Sequence, residues 1–394
     1  MSITLISEPN AICPGHNDQH VVLDSSETAQ DNFKYTCVIE IGATVVATLK
    51  NRPDPVSDYG VFNVKNIIQN YLDSNYFASV ETTTPLELEP YVQFVIKGGE
   101  SYSVSGVTTS LTSYTSSGKT AYNTALRYTE FAKKRDTFRQ TYFNKWLTDR
   151  SRTEYISIDE GENFYMMFFI DPVDTPADSY VYTYYDQVNC TGTDLGDDTV
   201  NVTGTKAYLC NLGTMPLSYP AGTLSYKVEL MADGDVVDTL KFNIDACTMF
   251  TTIPLVFLNR LGGYETVYFR LISRDKVEVE RKTMQQVGYE VVSGVPQYID
   301  TNNVFYPNIN AFASNNKEKK TVTSETLTDA EYRWLVDLIA SVNVYEEQDD
   351  DGDIYYVPVI VTENQYEKKK RINDKLSQLV LDLDYGHLNN SQLR

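Results

Sequence analysis

LSYKVELMADGDVVDTLKFNI, residues 224 to 244, decides the fold class of this chain. Leu224, Tyr226, Val228 and Leu230 alternate with polar neighbours, Asp233-Gly234 supplies a two-residue turn, and Leu240, Phe242 and Ile244 alternate on the return. A period of two puts the apolar set on one side of a pleated strand, so the stretch predicts a hairpin with one buried face.

Working outward, the same texture recurs. FKYTCVIEIGATVVATLK (33 to 50) gives two β-rich runs around Gly42, YVQFVIK (91 to 97) another, and YISIDEGENFYMMFFID (155 to 171) and YVYTYY (180 to 185) two more. Tyr35 to Lys50 and Tyr226 to Lys241 have equal length, and VVATLK at 45 to 50 matches VVDTLK at 236 to 241. That faint repeat predicts two β-sandwich units rather than one. Between the early strands, Val64, Ile67, Ile68, Tyr71 and Leu72 fall at helical spacing after Asn63, which reads as an N-cap.

Two polar stretches read as loops: residues 106 to 126, rich in Ser and Thr, and Tyr298 to Lys320. Beyond the second, Thr328 and Glu331 make a capping box, Leu327 and Tyr332 are spaced for a hydrophobic staple, and Tyr332, Leu335, Leu338, Ile339 and Val342 give a helix its apolar face. Strands at 355 to 361 and 376 to 385 follow, so the end of the chain is α+β. The expected architecture is mainly β: tandem Ig-like β-sandwich modules at 1–150 and 151–254, the first with a basic and aromatic extension at 106–150, followed by an α+β domain at 255–394.

The totals constrain function. Across 394 residues there are 30 tyrosines and only 3 histidines, a poor stock of the side chain most used for proton transfer and metal binding near neutral pH. A net charge of −21 opposes binding to nucleic acid or to anionic membranes. Five scattered cysteines, Cys13, Cys37, Cys190, Cys210 and Cys247, do not form a disulfide framework, and the opening MSITLISEPN has neither the basic nor the apolar region of a secretion signal. A chain made in a reducing cytoplasm, without a membrane span, is the expectation.

Candidate chemistry is thin. Cys13, His16 and His20 have zinc-like spacing but no evident fourth ligand, and an ordinary loop is the favoured reading. Asp349, Asp350, Asp351, Gly352 and Asp353 resemble a calcium loop, yet an EF-hand register puts Pro358 where the bidentate Glu belongs, which favours a solvated hairpin turn. Ser117-Gly118-Lys119-Thr120 ends like a phosphate-binding loop, with Ser113 in place of its first glycine. Only His16, His20 and His387 are available to a Ser/His/Asp set, so no enzymatic activity and no cofactor are expected, with a glycan hydrolase last among the alternatives.

The clearest compositional change lies at 127 to 152, where Arg127, Lys133, Lys134, Arg135, Arg139, Lys145, Arg150 and Arg152 interleave with six aromatic residues ending in Trp146. On so acidic a chain this strip suits an acidic face of another copy or a neighbouring subunit better than single-stranded nucleic acid. Lys368, Lys369, Lys370 and Arg371 form a second cationic cluster, read either as a solvated turn or as a partner contact. Tyrosine enrichment itself suggests interfaces.

NFKYTCVIEI with YGVFNVKNIIQNYL, then LNRLGGYETVYFRL, then the tail from YVPVIVTENQYEKKKRINDKLSQ to LNNSQLR resemble virion structural proteins of tailed phages that infect Bacteroidetes, including crAss-like phages. The resemblance covers roughly the first seventy and the last hundred and forty residues. It implies a non-enzymatic tail, collar or baseplate component, a ring or adaptor present in the virion in many symmetric copies. Its implied partners are copies of itself and neighbouring portal, tail or collar proteins. A receptor- or glycan-binding protein of the tail, using tyrosines and Trp146 as stacking platforms, is the alternative.

Overall fold

The computed structural model describes residues 3–73, 84–204, 206–214, 217–245, 250–351, 353–362, 378–386 and 389–390. The chain is mainly β, in several sheets.

The first sandwich begins with β1 (Ile3–Ser7), β2 (Ile12–Pro14), β3 (His20–Ser25), β4 (Asp31–Ile41), β5 (Thr44–Asn51) and β6 (Gly60–Asn63). A one-turn helix α1 (Lys65–Ile68) follows, then β7 (Leu86–Leu88), β8 (Tyr91–Val104), β9 (Val107–Thr115) and β10 (Lys119–Tyr122). β1-β3-β6 face a sheet ordered β2-β10-β8-β4-β5. Val21 and Leu23 from one layer meet Tyr35, Cys37, Ile39, Phe94 and Ile96 from the other in a single apolar cluster. At the start of β6, Gly60 lies against the Tyr35 ring, where an added Cβ would sit 2.3 Å from a ring carbon.

Two details of this module differ from expectation. Asn63 does support the start of α1, accepting from the Lys65 amide at 3.1 Å, but Val64 occupies the N-cap position and the helix lasts one turn. The stretch 106 to 126 is largely strand: β9 and β10 pair in succession with one edge of β8 and are joined across Ser116. The Ser116 amide donates to the Ile96 carbonyl at 2.8 Å and its hydroxyl accepts from the Ile96 amide at 2.9 Å. β9 buries neither face, so no apolar alternation reports it.

Helices α2 (Tyr128–Lys134) and α3 (Phe138–Tyr142) lead to the second sandwich, β11 (Ile156–Asp159), β12 (Tyr165–Phe169), β13 (Ser179–Gln187), β14 (Thr191–Asn201), β15 (Ala207–Asn211), β16 (Ser225–Ala232) and β17 (Asp235–Asp245). Its large sheet runs β11-β17-β16-β13-β14 and its small one β12-β15-β7, the last strand coming from the first module's sequence. Set side by side, β2-β10-β8-β4-β5 and β11-β17-β16-β13-β14 have one strand order, and in both the first strand runs parallel to the last. β3 and β6 are matched by the antiparallel pair β12 and β15. Two sheets joined in this order form an Ig-like sandwich, repeated.

The two stretches of matching sequence are not, however, topological equivalents. Hairpins β4–β5 and β16–β17 share register (Thr36 opposite Lys50, Lys227 opposite Lys241) and a register shift after Ile39 and Leu230. They also share a turn with both residues at positive φ, Gly42-Ala43 and Asp233-Gly234. Yet by strand order β4–β5 corresponds to β13–β14. The shared text encodes one hairpin geometry used at two different places.

The second core is tyrosine-rich. Tyr180, Tyr182 and Tyr184 alternate inward along β13, each at most 1 % exposed, and Tyr226 stacks on Phe242 with centroids 4.6 Å apart. Such rings can be buried because their hydroxyls find partners: Tyr226 donates to the Leu212 carbonyl at 2.8 Å and Tyr184 to Asp198 at 3.0 Å.

The remaining elements are β18 (Ile253–Leu258), β19 (Tyr264–Phe269), β20 (Arg274–Gln285), β21 (Glu290–Val292), β22 (Val295–Gln297) and β23 (Ile309–Thr323). Helices α4 (Asp329–Trp334) and α5 (Val336–Ile339) precede β24 (Val344–Asp350), β25 (Asp353–Val361) and β26 (Val380–Tyr385). Their sheet path is β19-β18-β24-β25-β26-β23-β20. The capping box at Thr328 and Glu331 is present, but the helix breaks at Leu335, and Val342 is 80 % exposed rather than part of an apolar face. The segment Tyr298 to Lys320, expected as a loop, ends in the long strand β23.

By Cα proximity the chain divides into two compact units. One is Met1–Cys247 with Val256–Thr266 and Ala340–Val342; the other is Thr248–Leu255, Val267–Ile339 and Asn343–Arg394. Both sandwiches belong to the first.

Candidate assembly surfaces

The basic and aromatic segment explains why the two sandwiches form one unit. Phe138 and Phe143 pack in a ring cluster with Tyr122 of β10 and Phe169 of β12, at centroid distances of 4.7 to 5.8 Å. Trp146 is 2 % exposed and sits edge-on to Phe168 at 5.3 Å, so this side chain, expected at a partner surface, is core.

Several of its cations are likewise held within the chain. Arg139 reaches Asp171 at 2.7 Å and Asp174 at 2.8 Å. Arg152 grips both carboxylate oxygens of Asp238 at 2.8 Å and also donates to the Trp146 carbonyl. Lys134 lies 3.4 Å from Glu130 and over the Tyr142 ring, and Arg127 lies 3.7 Å from Asp149. Arg260 pairs with Glu130 at 2.7 Å and with Asp149. Burial works to raise the Glu130 pKa, but the Tyr142 hydroxyl and the Arg260 and Lys134 cations outweigh it and hold the carboxyl below its ordinary value. Lys133 and Arg135 stay exposed. Lys368, Lys369, Lys370 and Arg371 lie outside the described residues.

The acid partners Asp149, Asp171, Asp238 and Glu130 were not singled out from sequence, since nothing in their spacing separates them from the other acidic residues. What could have been noticed is that cations interleaved with buried-type aromatics also describe a packed connector.

Two of the candidate chemical motifs come apart. The Cys13 thiol is buried, which pushes it up to about 12, while His16 bonds Asn123 at 2.6 Å and His20 is exposed at the start of β3. Lys119, the would-be phosphate ligand, is 4 % exposed and held by Glu8 at 2.5 Å. Asp350 and Asp353 pair at the β24–β25 turn, with Asp351 at positive φ.

A surface not anticipated from sequence is the ribbon formed by β20 and β23. They pair from Arg274 opposite Thr321 to Gln285 opposite Ile309, about 40 Å at the usual rise per residue. The β21–β22 hairpin lies between them in sequence. Every residue of β20 is exposed, as are β21 and β22. β20 ends the sheet, and β26 pairs with β23 only over Lys319 to Thr323. Of 35 exposed large hydrophobic residues among those described, 14 fall between Val277 and Phe312, including Val291, Val295, Tyr298 and Phe305. Concentration on this scale goes beyond the scattered single exposures usual on a protein surface.

No family model matches the chain, and no curated protein does. Among solved structures it is similar to trypsin-activated alpha-2-macroglobulin from Escherichia coli, with 7 % identity over 84 % of this chain and 20 % of that one and a TM-score of 0.19. The chain thus spans about a fifth of that protein's length.

Proposed function

We propose that this protein is a structural component of a phage virion, a tail, collar or baseplate-region ring or adaptor that works through contacts between subunits. The observation that carries the reading is the β20–β23 ribbon, where fourteen large apolar side chains from Val277 to Phe312 are exposed. The tandem Ig-like modules, cemented by the ion-paired connector, suit a rigid spacer that presents such a surface. The resemblance of the terminal segments to virion proteins of Bacteroidetes-infecting phages points the same way. The glycan-binding alternative gains nothing from Trp146 or from Tyr180, Tyr182 and Tyr184 of β13, whose rings are buried.

The test is composition of purified particles. Quantitative mass spectrometry and antibody labelling of virions that encode this chain should find many copies at one vertex or along the tail. Presence in infected-cell lysate with absence from particles would remove the proposal.

A further inference from the structure

We infer that the β20–β23 ribbon is an arm that seats on the acidic second sandwich of another copy of this chain. The inference rests on the assembly reading above and adds to it the surface and the partner.

Charge distribution argues for a second copy. Residues 274 to 323 carry seven basic and six acidic side chains, a net +1 in a chain of −21, so the other 344 residues together hold −22. Within the arm the charges are sorted. All seven cations, among them Arg281, Lys282 and Lys317, flank a stretch from Thr283 to Asn316 that has no cation and only Glu290 and Asp300 as acids. The arm is therefore apolar at its tip and carries its cations on the shaft, seven against four acids: Lys276, Lys317, Lys319 and Lys320 pair with carboxylates of the same chain, while Arg281 and Lys282 are exposed beside the tip.

The complementary surface is in the same sequence. Between Tyr155 and Asp245 there are fifteen acidic and three basic residues, a net −12. β14, the edge strand of that module, is exposed over most of its length and carries Asp194, Asp197 and Asp198. An arm that stays exposed on its own chain, offered to copies bearing this acidic module, gains favourable long-range attraction and then apolar burial on contact. A two-stranded ribbon is marginally stable alone in water, so such seating also gives the arm a fixed conformation.

Sedimentation of the full-length chain over a range of concentrations and salt tests this. Wild type should self-associate, more weakly at about 0.5 M than at about 0.05 M salt because exposed charges are screened. Two arm variants, Val291→Ser with Phe305→Ser and Arg281→Glu with Lys282→Glu, should each weaken association at least tenfold with unchanged thermal unfolding. Asp194→Lys with Asp197→Lys should weaken it too, and mixing this variant with Arg281→Glu/Lys282→Glu should restore heteromeric association. A wild type that stays monomeric overturns the inference, as does association unaffected by both arm variants. Loss of association without restoration in the mixture also overturns the assignment of the acidic module as the seat. Each of these failures leaves the virion reading to be judged separately, by particle composition.

Discussion

Strand β16 of one hairpin and strand β20 of the ribbon are built from the same alternating text and end in opposite environments. Along β16, Tyr226, Val228 and Leu230 are fully buried, and the alternate residues Lys227, Glu229 and Met231 are only partly so. Along β20, Val277 and Val279 alternate just as regularly with Lys276, Glu278 and Glu280, and every residue is exposed. Alternation specifies a pleated strand and the side on which its apolar residues lie; whether anything covers that side depends on a second layer that local sequence does not contain.

The largest expected effect separates the two regions directly. Phe242→Ala removes the ring stacked on Tyr226 and should cost about 3–5 kcal/mol, whereas Val279→Ala on the ribbon should stay within about 0.5 kcal/mol, both read from denaturant midpoints. Equal losses would mean that the ribbon is covered within the chain. Next comes the connector. Arg152→Ala breaks a two-pronged, part-buried contact with Asp238 and should lower stability by about 1–2 kcal/mol, while Lys133→Ala, exposed, should change it little.

Thr328→Ala, which deletes the cap of α4, should cost about 1 kcal/mol, an effect confined to the second unit. The smallest expected effect is acid sensitivity. Because the folded Glu130 carboxyl lies below its ordinary value of 4.5, its contribution is fully present above that pH and is lost as pH falls through the lowered folded value. Glu130→Gln should flatten the acid limb of a stability profile; an unchanged slope below about pH 4.5 would show that the connector carboxylate is not coupled to folding.

The tyrosines teach a related lesson about composition. Thirty of them suggested interfaces, but Tyr35, Tyr165, Tyr180, Tyr182, Tyr184, Tyr226 and Tyr264 are core residues. A phenol is nearly as good a core filler as phenylalanine once a carbonyl or carboxylate accepts a hydrogen bond from it, and that acceptor is supplied by a neighbouring segment of the fold. Trp146 and the cations of 127 to 152 follow the same logic. Their residue types fitted an external partner, and for Trp146, Arg139 and Arg152 the partner proved to be Phe168, Asp171 and Asp238 of the same chain.

By itself the sequence determined the mainly β class, the hairpin at Asp233-Gly234, the capping box at Thr328, and the acidity that makes the arm's net positive charge stand out. These are local or additive properties, set by period, turn chemistry and charge. Tertiary structure alone decided that β9 and β23 are strands despite their polar text, since ladder hydrogen bonds form between backbones whatever the side chains. It alone decided that two modules with one strand order share a unit, that Trp146, Arg139 and Arg152 of the basic segment are held inside the chain, and that the apolar residues of 277 to 312 are left outside. Each of those outcomes depends on which surfaces meet, and that is fixed by contacts between residues far apart along the chain.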